Sequence, residues 1–338
     1  MSPIAVGLAG ALIAAAATAG GAALLRRLGL GDAPDARTRN RKRQSSAVPF
    51  VGGGALLLAW IFQANCAGAP WAPSLPGLPA AAAGTAASWG PWAALGAAFA
   101  VGLVDDLRPG GLAPAPKLCA QGSAGAVLAA VVALAEAGGE PLRLDVSAVS
   151  AGALWIAAAV AAMNLANTFD NADGAATGLG LAGLLAGAPV AAGPLAGFLP
   201  FNLWLRRRGD PRAYLGDSGS HLLGMLLLLT PAAWPVFLLP LFDLIRVALR
   251  RLRSGRAIWS ADRSHLAHGL QAAGLSPTVL CIVLVGLASP ALWLPRWWGA
   301  GCVAALFLVS AGLTRGGGAS GSQLGRRGEP CPRRESGR

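Results

Sequence analysis

A short polar stretch that ends an apolar run carries side chains suited to chemistry. Residues 151–163 are almost wholly apolar, and the polar groups that follow include Asn164, Asn167, Asp170, Asn171 and Asp173. At about 100° per residue the three asparagines lie within a stripe about 60° wide on a helix, with Asp170 beside it. Gly174 permits the helix to open, which would bring Asp173 to the same side. A polar side chain at membrane depth is costly unless it is paired or faces water. The stretch therefore predicts a pocket of carboxylates and amides, the alternative being a polar loop that only separates two spans.

Two adjacent carboxylates, Asp105 and Asp106, follow another apolar run. Such neighbours repel one another unless a divalent cation, a lysine or a bound phosphate shares the site. Lys117 opens the next apolar run and is placed to reach phosphate oxygens as a compact positive charge. A solvated turn is the alternative interpretation of the pair.

A third acidic position, Asp217, lies in the run Gly216-Asp217-Ser218-Gly219-Ser220-His221. A carboxylate between glycines and hydroxyls at a helix start is typical of an oxyanion or metal cradle. For Ser218 and Ser220 alone we favour a helix N-cap. We expect His221 to be a local hydrogen-bond partner rather than a ligand.

The last polar region runs from Asp243 to His268. Asp243 and Arg246 are three residues apart and are expected to pair. His265 and His268 are expected to share a helix face. A soft-metal site would need more nitrogen or sulfur ligands, so hydrogen bonding to phosphate or hydroxyl groups is the better interpretation.

The elements that must position these residues are apolar helices. The chain has 338 residues, of which 54% are hydrophobic and 12% charged, and apolar runs of about 20 residues predict transmembrane helices. We predict an all-α, polytopic membrane bundle of about eleven spans. Their limits are 3–25, 48–65, 88–104, 118–135, 150–166, 175–191, 192–205, 218–230, 232–249, 278–294 and 297–313.

The basic residues predict the orientation of the bundle. With the amino terminus outside, all of the 27 Lys and Arg residues except Arg143 and Arg296 fall on one side, as the positive-inside rule requires of a cytoplasmic face. The net charge of +12 is then a topology signal and implies no nucleic acid. We predict a transmembrane domain over 1–314 and a disordered, basic cytoplasmic tail over 315–338.

The first cytoplasmic loop has two interpretations. Its basic run over 37–43 precedes Pro49 and the pair Gly52 and Gly53. The run suits lipid headgroups as well as topology, or the loop forms a collar around an anionic substrate, with the glycines allowing close backbone approach.

Taken in order, these motifs resemble the polyprenyl-phosphate N-acetylhexosamine-1-phosphate transferases of glycosyltransferase family 4. The resemblance covers about 32–277, and the ordered set is far more specific than any one motif. Its pieces are Pro49 with Gly52-Gly53, Asp105-Asp106 with Lys117, the polar stretch from Asn164 to Gly174, residues 216–220, and Ser260-Ala-Asp262-Arg263-Ser-His265.

The resemblance implies transfer of a sugar 1-phosphate from a UDP-sugar to undecaprenyl phosphate, with release of UMP and with Mg²⁺ (or Mn²⁺) as cofactor. It implies Asp217 as metal ligand, the uridine near Asn167 and Asp170, and the lipid phosphate near Asp105 or Asp106. The implied catalytic residues are Asp105, Asp106, Asp173 and His265, and the implied substrate-binding residues are Lys117, Asn164, Asn167, Asp170, Arg263 and His268.

The loop around His265 is more similar to the N-acetylglucosamine branch than to the phospho-N-acetylmuramoyl-pentapeptide branch, although Ala267 replaces a histidine of the former. The pentapeptide transferase is the alternative within the family, and an ion-coupled transporter is the remote alternative outside it. A transporter would place carboxylates near the bilayer midplane in repeated halves, whereas these acids cluster at loop mouths. The resemblance further implies a multi-pass protein of the inner (plasma) membrane with a cytoplasmic active site; a homodimer stays open.

Overall fold

The computed structural model describes residues 1–31, 47–66, 85–138, 140, 145–207, 209–257 and 264–316. Within these ranges the chain is mostly helical. The helices are α1 (Pro3–Arg27), α2 (Gly52–Asn65), α3 (Thr85–Leu107), α4 (Pro114–Ala137), α5 (Val146–Asp170), α6 (Ala175–Gly187), α7 (Pro189–Leu203), α8 (Gly216–Leu228), α9 (Leu238–Arg253), α10 (Leu266–Ala272), α11 (Pro277–Trp293) and α12 (Arg296–Gly316). A 3-10 helix, Pro231–Phe237, leads directly into α9. A short antiparallel hairpin, β1 (Arg206–Arg207) and β2 (Asp210–Pro211), interrupts the helices.

The helices have the character of a membrane protein. In the described ranges four helical stretches are long and apolar enough to cross a membrane: α1, α4, α5, and the 3-10 helix together with α9. The predicted helical membrane class is confirmed at this level, while the count of eleven spans and the orientation stay predictions. The break between the predicted spans 175–191 and 192–205 lies about three residues earlier than predicted. The chain breaks at Ala188 and Pro189 begins α7, because proline has no N–H to donate and is favoured in the first helical turn.

The site is held by a group of four helices, in which α3 and α5 each pack against both α4 and α8. Every residue of α8 from Ser218 to Leu228 is buried. A helix surrounded in this way needs no polar face, so apolar residues cover all sides of its second half. The polar residues of α8 are confined to its amino-terminal turns, where the helix meets the ends of α3, α4 and α5.

The chain before α2 is docked on the start of α8. The Tyr214 N–H donates to the Pro49 carbonyl at 2.9 Å, and the Gly52 N–H donates to the Tyr214 carbonyl at 3.1 Å. A Cβ on Gly53 would come within 2.6 Å of the Gly219 nitrogen. The two glycines thus allow close backbone approach, as the sequence suggested, but here it is the backbone of α8 that approaches them.

The crossing of α3 and α8 predicts a sharp substitution effect at Gly102. A Cβ at this position would overlap the backbone carbonyl of Asp217 and lie 2.5 Å from the Cα of Ser218. Neither backbone can move without displacing the site, so Gly102→Ala should lower the free energy of unfolding by about 3 kcal/mol, the upper range for overpacking. Thermal unfolding of the purified protein measures the effect.

Gly96 on the same helix supplies the matched control. A Cβ there meets nothing within 4 Å, so Gly96→Ala should leave the melting temperature unchanged or slightly raised through its better helix propensity. Equal destabilisation by the two substitutions would show that the effect does not depend on the α3–α8 contact and would contradict this prediction.

Candidate active site

The end of α5 delivers the polar stretch as predicted. The helix stops at Asp170, and Gly174, with φ +76°, is the residue directly before α6. That left-handed backbone suits glycine, and the Gly174 N–H donates to the side-chain oxygen of buried Asn202 at 2.9 Å. The predicted opening at Gly174 is therefore confirmed. It places Asp173 in the turn between the two helices instead of on the far side of α5.

Asp106 serves as the cap of α8. Its Oδ1 accepts the Asp217 N–H at 2.8 Å, and its Oδ2 accepts the Ser218 N–H at 2.9 Å and the Ser218 hydroxyl at 2.6 Å. The prediction of a serine N-cap is wrong. Gly216, with φ +76°, turns the chain so that the first free N–H groups of α8 face a carboxylate from another helix. A negative charge at this end also complements the helix dipole.

This geometry predicts how Asp106 variants behave. Asp106→Ala removes three acceptor contacts and should lower the free energy of unfolding by about 1–2 kcal/mol, as for loss of a cap. Asp106→Asn keeps one acceptor oxygen and should be milder in stability and in activity alike. Thermal unfolding and kcat/KM are measured for both variants. Full inactivation of Asp106→Asn at unchanged stability would instead support the chemical role that the resemblance implies.

Lys117 joins Asp105 of α3 to Asp217 of α8. Its Nζ lies 3.2 Å from Asp105 Oδ2 and 2.9 Å from Asp217 Oδ2. Asp105 is further fixed because its Oδ1 accepts the Leu112 N–H at 2.6 Å. A lysine therefore shares the carboxylate site, which is one of the three arrangements that the sequence left open.

Asn167 orients Asp217 from the side of α5. Its amide nitrogen donates to Asp217 Oδ1 and, at 3.0 Å, to the Ser220 hydroxyl. Asp217 is thus held by an ammonium on one oxygen and by an amide on the other. Its side chain is 22% exposed, so the carboxylate is positioned and still reachable.

Asp170 differs from its neighbours. In the part of the chain that the structure describes, its carboxylate has no hydrogen-bond or ion-pair partner. It lies in the electrostatic field of Asp217, Asp106 and Asp173, with Lys117 as the opposing charge. A partly buried carboxylate among like charges is stable only when a cation or a proton joins it.

Asp173 has its own counter-charge. Arg206 of the hairpin donates to Asp173 Oδ2 at 2.8 Å. Burial raises the pKa of Asp173 above its usual range, and the bond from Arg206 offsets only part of that effect. Asp173 is thus held by an ion pair to the hairpin, at the edge of the carboxylate cluster.

A buried network lies beneath the carboxylates. Asn164 donates to Gln121 Oε1 at 2.7 Å, and Gln121 Nε2 lies 2.7 Å from His221 Nε2. Since the amide nitrogen is a donor, His221 Nε2 accepts and its proton resides on Nδ1. The prediction that His221 is a local hydrogen-bond partner is confirmed, and Asn164 acts in this network as a support for α5.

The remaining polar residues form a second cluster around buried Asp243. Arg246 Nη2 lies 2.7 Å from Asp243 Oδ1, and His265 Nδ1 lies 2.9 Å from Asp243 Oδ2. The predicted pairing of Asp243 with Arg246 is confirmed. The shared helix face is wrong, because His265 has extended backbone just before α10 and the Leu266 N–H donates to Asp243 at 3.0 Å.

The two clusters are separate in their hydrogen bonding. Within the described ranges no hydrogen bond joins the Asp243 cluster to the Asp217 cluster, and His268 Nδ1 lies 3.3 Å from Gln271 Oε1. Arg263 and Asp262 lie outside the described residues. The structure thus brings together five residues: Asp105, Asp106, Lys117, Asn167 and Asp217. Asp170 and Asp173 lie in the electrostatic field of this group. His265 and His268 are not hydrogen-bonded to it.

Sequence reasoning missed two supports of this site. Asn202 holds the turn at Gly174, accepts from the Thr177 hydroxyl and donates to the Ala213 carbonyl, and Arg206 pairs with Asp173. Asn202 lies alone in an apolar run, and an isolated polar residue in such a run was a usable signal. Arg206 is one of three consecutive arginines, and in the sequence these arginines indicated only the orientation of the bundle.

Comparison with known proteins supports the family that the ordered motifs resemble. The profile of the family described as glycosyl transferase family 4 matches residues 88–233, the segment that contains Asp105, Lys117, Asp170 and Asp217. The chain is 32% identical to a decaprenyl-phosphate N-acetylglucosaminephosphotransferase of Mycobacterium leprae, over 46% of this chain and 52% of that protein.

Further relatives bear related names. A decaprenyl-phosphate N-acetylglucosaminephosphotransferase of Mycolicibacterium smegmatis is 31% identical, over 54% of this chain and 56% of the relative. An undecaprenyl-phosphate alpha-N-acetylglucosaminyl 1-phosphate transferase of Pasteurella multocida is 28% identical, over 31% of this chain and 36% of the relative. The matches thus span between about one third and just over half of the length of these relatives. The match over residues 88–233 and the names of these relatives support the family that the ordered motifs predicted.

Proposed function

We propose that this protein transfers N-acetylglucosamine 1-phosphate from its UDP-sugar to undecaprenyl phosphate, on the cytoplasmic side of the plasma membrane. The observation that carries the proposal is the meeting of Asp105, Lys117, Asn167 and Asp217 from four helices at one end of the group. The names of the relatives supply the sugar and the polyprenyl phosphate acceptor. They favour N-acetylglucosamine over the muramoyl pentapeptide.

The reaction joins two anions. An oxygen of the acceptor phosphate forms a bond to the β-phosphorus of the UDP-sugar, and the bond from that phosphorus to the oxygen bridging to the α-phosphate breaks. The electron pair leaves on UMP, and the lipid keeps the sugar as a diphosphate. A phosphate is already a competent nucleophile, so positioning and charge neutralisation matter more than a strong base.

Lys117 would supply a mobile positive charge for the phosphates. It is at present shared by Asp105 and Asp217, and an ammonium can exchange a carboxylate for a phosphate oxygen without a fixed orientation. Asn167 would keep Asp217 in place during that exchange. Arg206, paired with Asp173, offers a second cation at the edge of the site.

The residues present fit a magnesium ion that substrate helps to bind. No group of three His, Cys, Asp or Glu residues is arranged as a metal site within the described part of the chain. Mg²⁺, however, is commonly held by one or two carboxylates together with substrate phosphates. Asp217 and the unpaired Asp170 would provide those carboxylates. When bound, the ion would withdraw charge from the diphosphate and so assist departure of UMP.

The two histidines are predicted to differ in effect. His265→Ala removes a partner from buried Asp243 and a side chain implied to contact phosphate, whereas His268 Nδ1 lies 3.3 Å from Gln271 Oε1 and does not contact Asp243. We expect kcat/KM to fall about 100-fold for His265→Ala, the lower end of the range for loss of one positioned hydrogen-bond donor, and less than about threefold for His268→Ala. Steady-state assays of both variants measure this, and the reverse order would contradict the assignment.

A direct assay tests the proposed function. Membranes containing the protein receive UDP-N-acetylglucosamine labelled in the sugar, undecaprenyl phosphate and Mg²⁺, and both lipid-linked label and UMP are followed. We expect both products in equal amounts, and neither after chelation of divalent ions.

Two further arms separate the alternatives. Replacing the donor by the UDP-muramoyl-pentapeptide should give no lipid product, and product only with that donor would move the protein to the other branch. An ion-coupled transporter would release no UMP in either arm. Vesicles of known orientation test the side, since activity should require UDP-sugar at the cytoplasmic face.

A further inference from the structure

A cavity of about 190 Å³ lies where the end of α1 meets the hairpin. Three arginines line it: Arg26 from the last turn of α1, Arg207 from β1 and Arg212 just after β2. The rest of its wall is backbone and apolar side chain, including Leu30 and Pro49. None of its lining residues belongs to the Asp217 cluster.

Among the described residues, the three arginines of this cavity have no acidic partner. Within the described ranges no carboxylate forms an ion pair with any of the three arginines, whereas Arg206 and Arg246 each have one. Arg26 lies in the electrostatic field of both Arg207 and Arg212, and its guanidinium donates to the Arg212 backbone carbonyl at 3.1 Å. The Arg26 guanidinium is thus held by a neutral backbone carbonyl and lies near the positive charges of Arg207 and Arg212.

The hairpin explains why one arginine serves the active site and the next serves the cavity. Successive side chains of a strand point to opposite faces. Arg206 reaches Asp173, and Arg207 therefore turns to the other side, where the cavity lies. The separation of the two arginines is thus built into the strand.

The position of the cavity points to a lipid. Arg26 is the penultimate residue of α1, a helix long and apolar enough to span a membrane, so the cavity lies at a membrane boundary. Leu24 and Leu28 beside it are 56% and 60% exposed, and Leu30 forms part of the wall. Arginines above an apolar surface provide both of the contacts that a phospholipid requires, a cation for its phosphate and apolar atoms for its chains.

We propose that this cavity binds the phosphate of an anionic membrane lipid, at a site separate from the Asp217 cluster. The site is nevertheless tied to that cluster, because the carbonyl of Pro49 in its wall accepts the Tyr214 N–H at 2.9 Å and Tyr214 lies two residues before the start of α8. A bound lipid would hold α1, the Pro49 segment and the hairpin together. It would thereby stabilise the docking of the chain on α8 without taking part in the transfer.

Binding by the purified full-length protein in detergent tests the proposal independently of catalysis. Native mass spectrometry follows titration with short-chain phosphatidylglycerol, with phosphatidylcholine of equal chain length, and with inorganic phosphate. We expect one tightly held phosphatidylglycerol and much weaker binding of the other two. In Arg207→Gln/Arg212→Gln the affinity for phosphatidylglycerol should fall about 30-fold, from about 1 kcal/mol for each arginine.

The control variant is Arg250→Gln/Arg253→Gln, which removes two basic residues from the last turn of α9 and should leave the affinity unchanged. Equal loss in both double variants would show general surface electrostatics and overturn the proposal. So would phosphate binding as tight as that of phosphatidylglycerol, which would make this a site for free anions. If the double variant does not fold, Arg207→Gln alone, at an exposed position, should still weaken binding about fivefold, and an unchanged affinity there would also overturn the proposal.

Discussion

Asp217→Asn is expected to reduce kcat of sugar-phosphate transfer by about 100- to 1,000-fold, the usual range for loss of one preorganised electrostatic contact in a transition state. The substitution keeps the shape of the side chain and the acceptor for Asn167, but it removes the charge that faces Lys117 and that would hold the cation. The magnesium concentration needed for half-maximal activity should rise as well. Initial rates over a magnesium titration measure both effects.

Asp145→Asn is the matched control for this charge loss. Asp145 caps the other end of α5, where its Oδ1 accepts the Ala148 N–H at 2.8 Å, and asparagine caps a helix as well as aspartate does. Its activity and magnesium dependence should stay at the level of the unmodified protein. Normal turnover of Asp217→Asn with an unchanged magnesium requirement would refute the metal assignment.

Lys117→Gln is expected to lower kcat/KM by about 100-fold or more and to destabilise the protein by about 3 kcal/mol. Both follow from one contact, since the ammonium neutralises Asp105 and Asp217 in the free protein and would contact phosphate during the reaction. Breaking a partly buried ion pair leaves an uncompensated charge, which costs about 3–5 kcal/mol when burial is complete. Here the Lys117 and Asp217 side chains are 21% and 22% exposed, so the lower end applies. Kinetics and thermal unfolding are measured on the same preparations.

A second variant separates the two roles of Lys117. In Lys117→Gln/Asp105→Asn the repulsion between carboxylates is relieved, so most of the stability should return while activity stays low; the comparison is a double-mutant cycle. Lys117→Arg should restore stability better than activity, because the planar guanidinium does not replace a compact ammonium. Recovery of activity together with stability would show that Lys117 acts only through the fold.

The class of the fold and most members of the site followed from the sequence. Asp105, Lys117, Asp170 and Asp217 stood out because a charged residue that borders an apolar run has few reasons to be there other than function. The pairing of Asp243 with Arg246 followed from their spacing on one helix, and the opening after Asp170 followed from Gly174. These are local consequences of residue type and periodicity, which a sequence displays directly.

Only the tertiary structure decided which partner each of these residues contacts. Asp105 and Asp106 are neighbours and look equivalent in the sequence, yet one faces Lys117 and the other caps α8, because successive residues on α3 point in directions about 100° apart and α8 crosses at Gly102. Arg206 and Arg207 part in the same way, one towards Asp173 and the other towards the cationic cavity. Sequence spacing determines which faces exist on an element, but which partner each face meets depends on contacts across 100 or more residues of chain, such as those from Asp106 and Lys117 to Asp217.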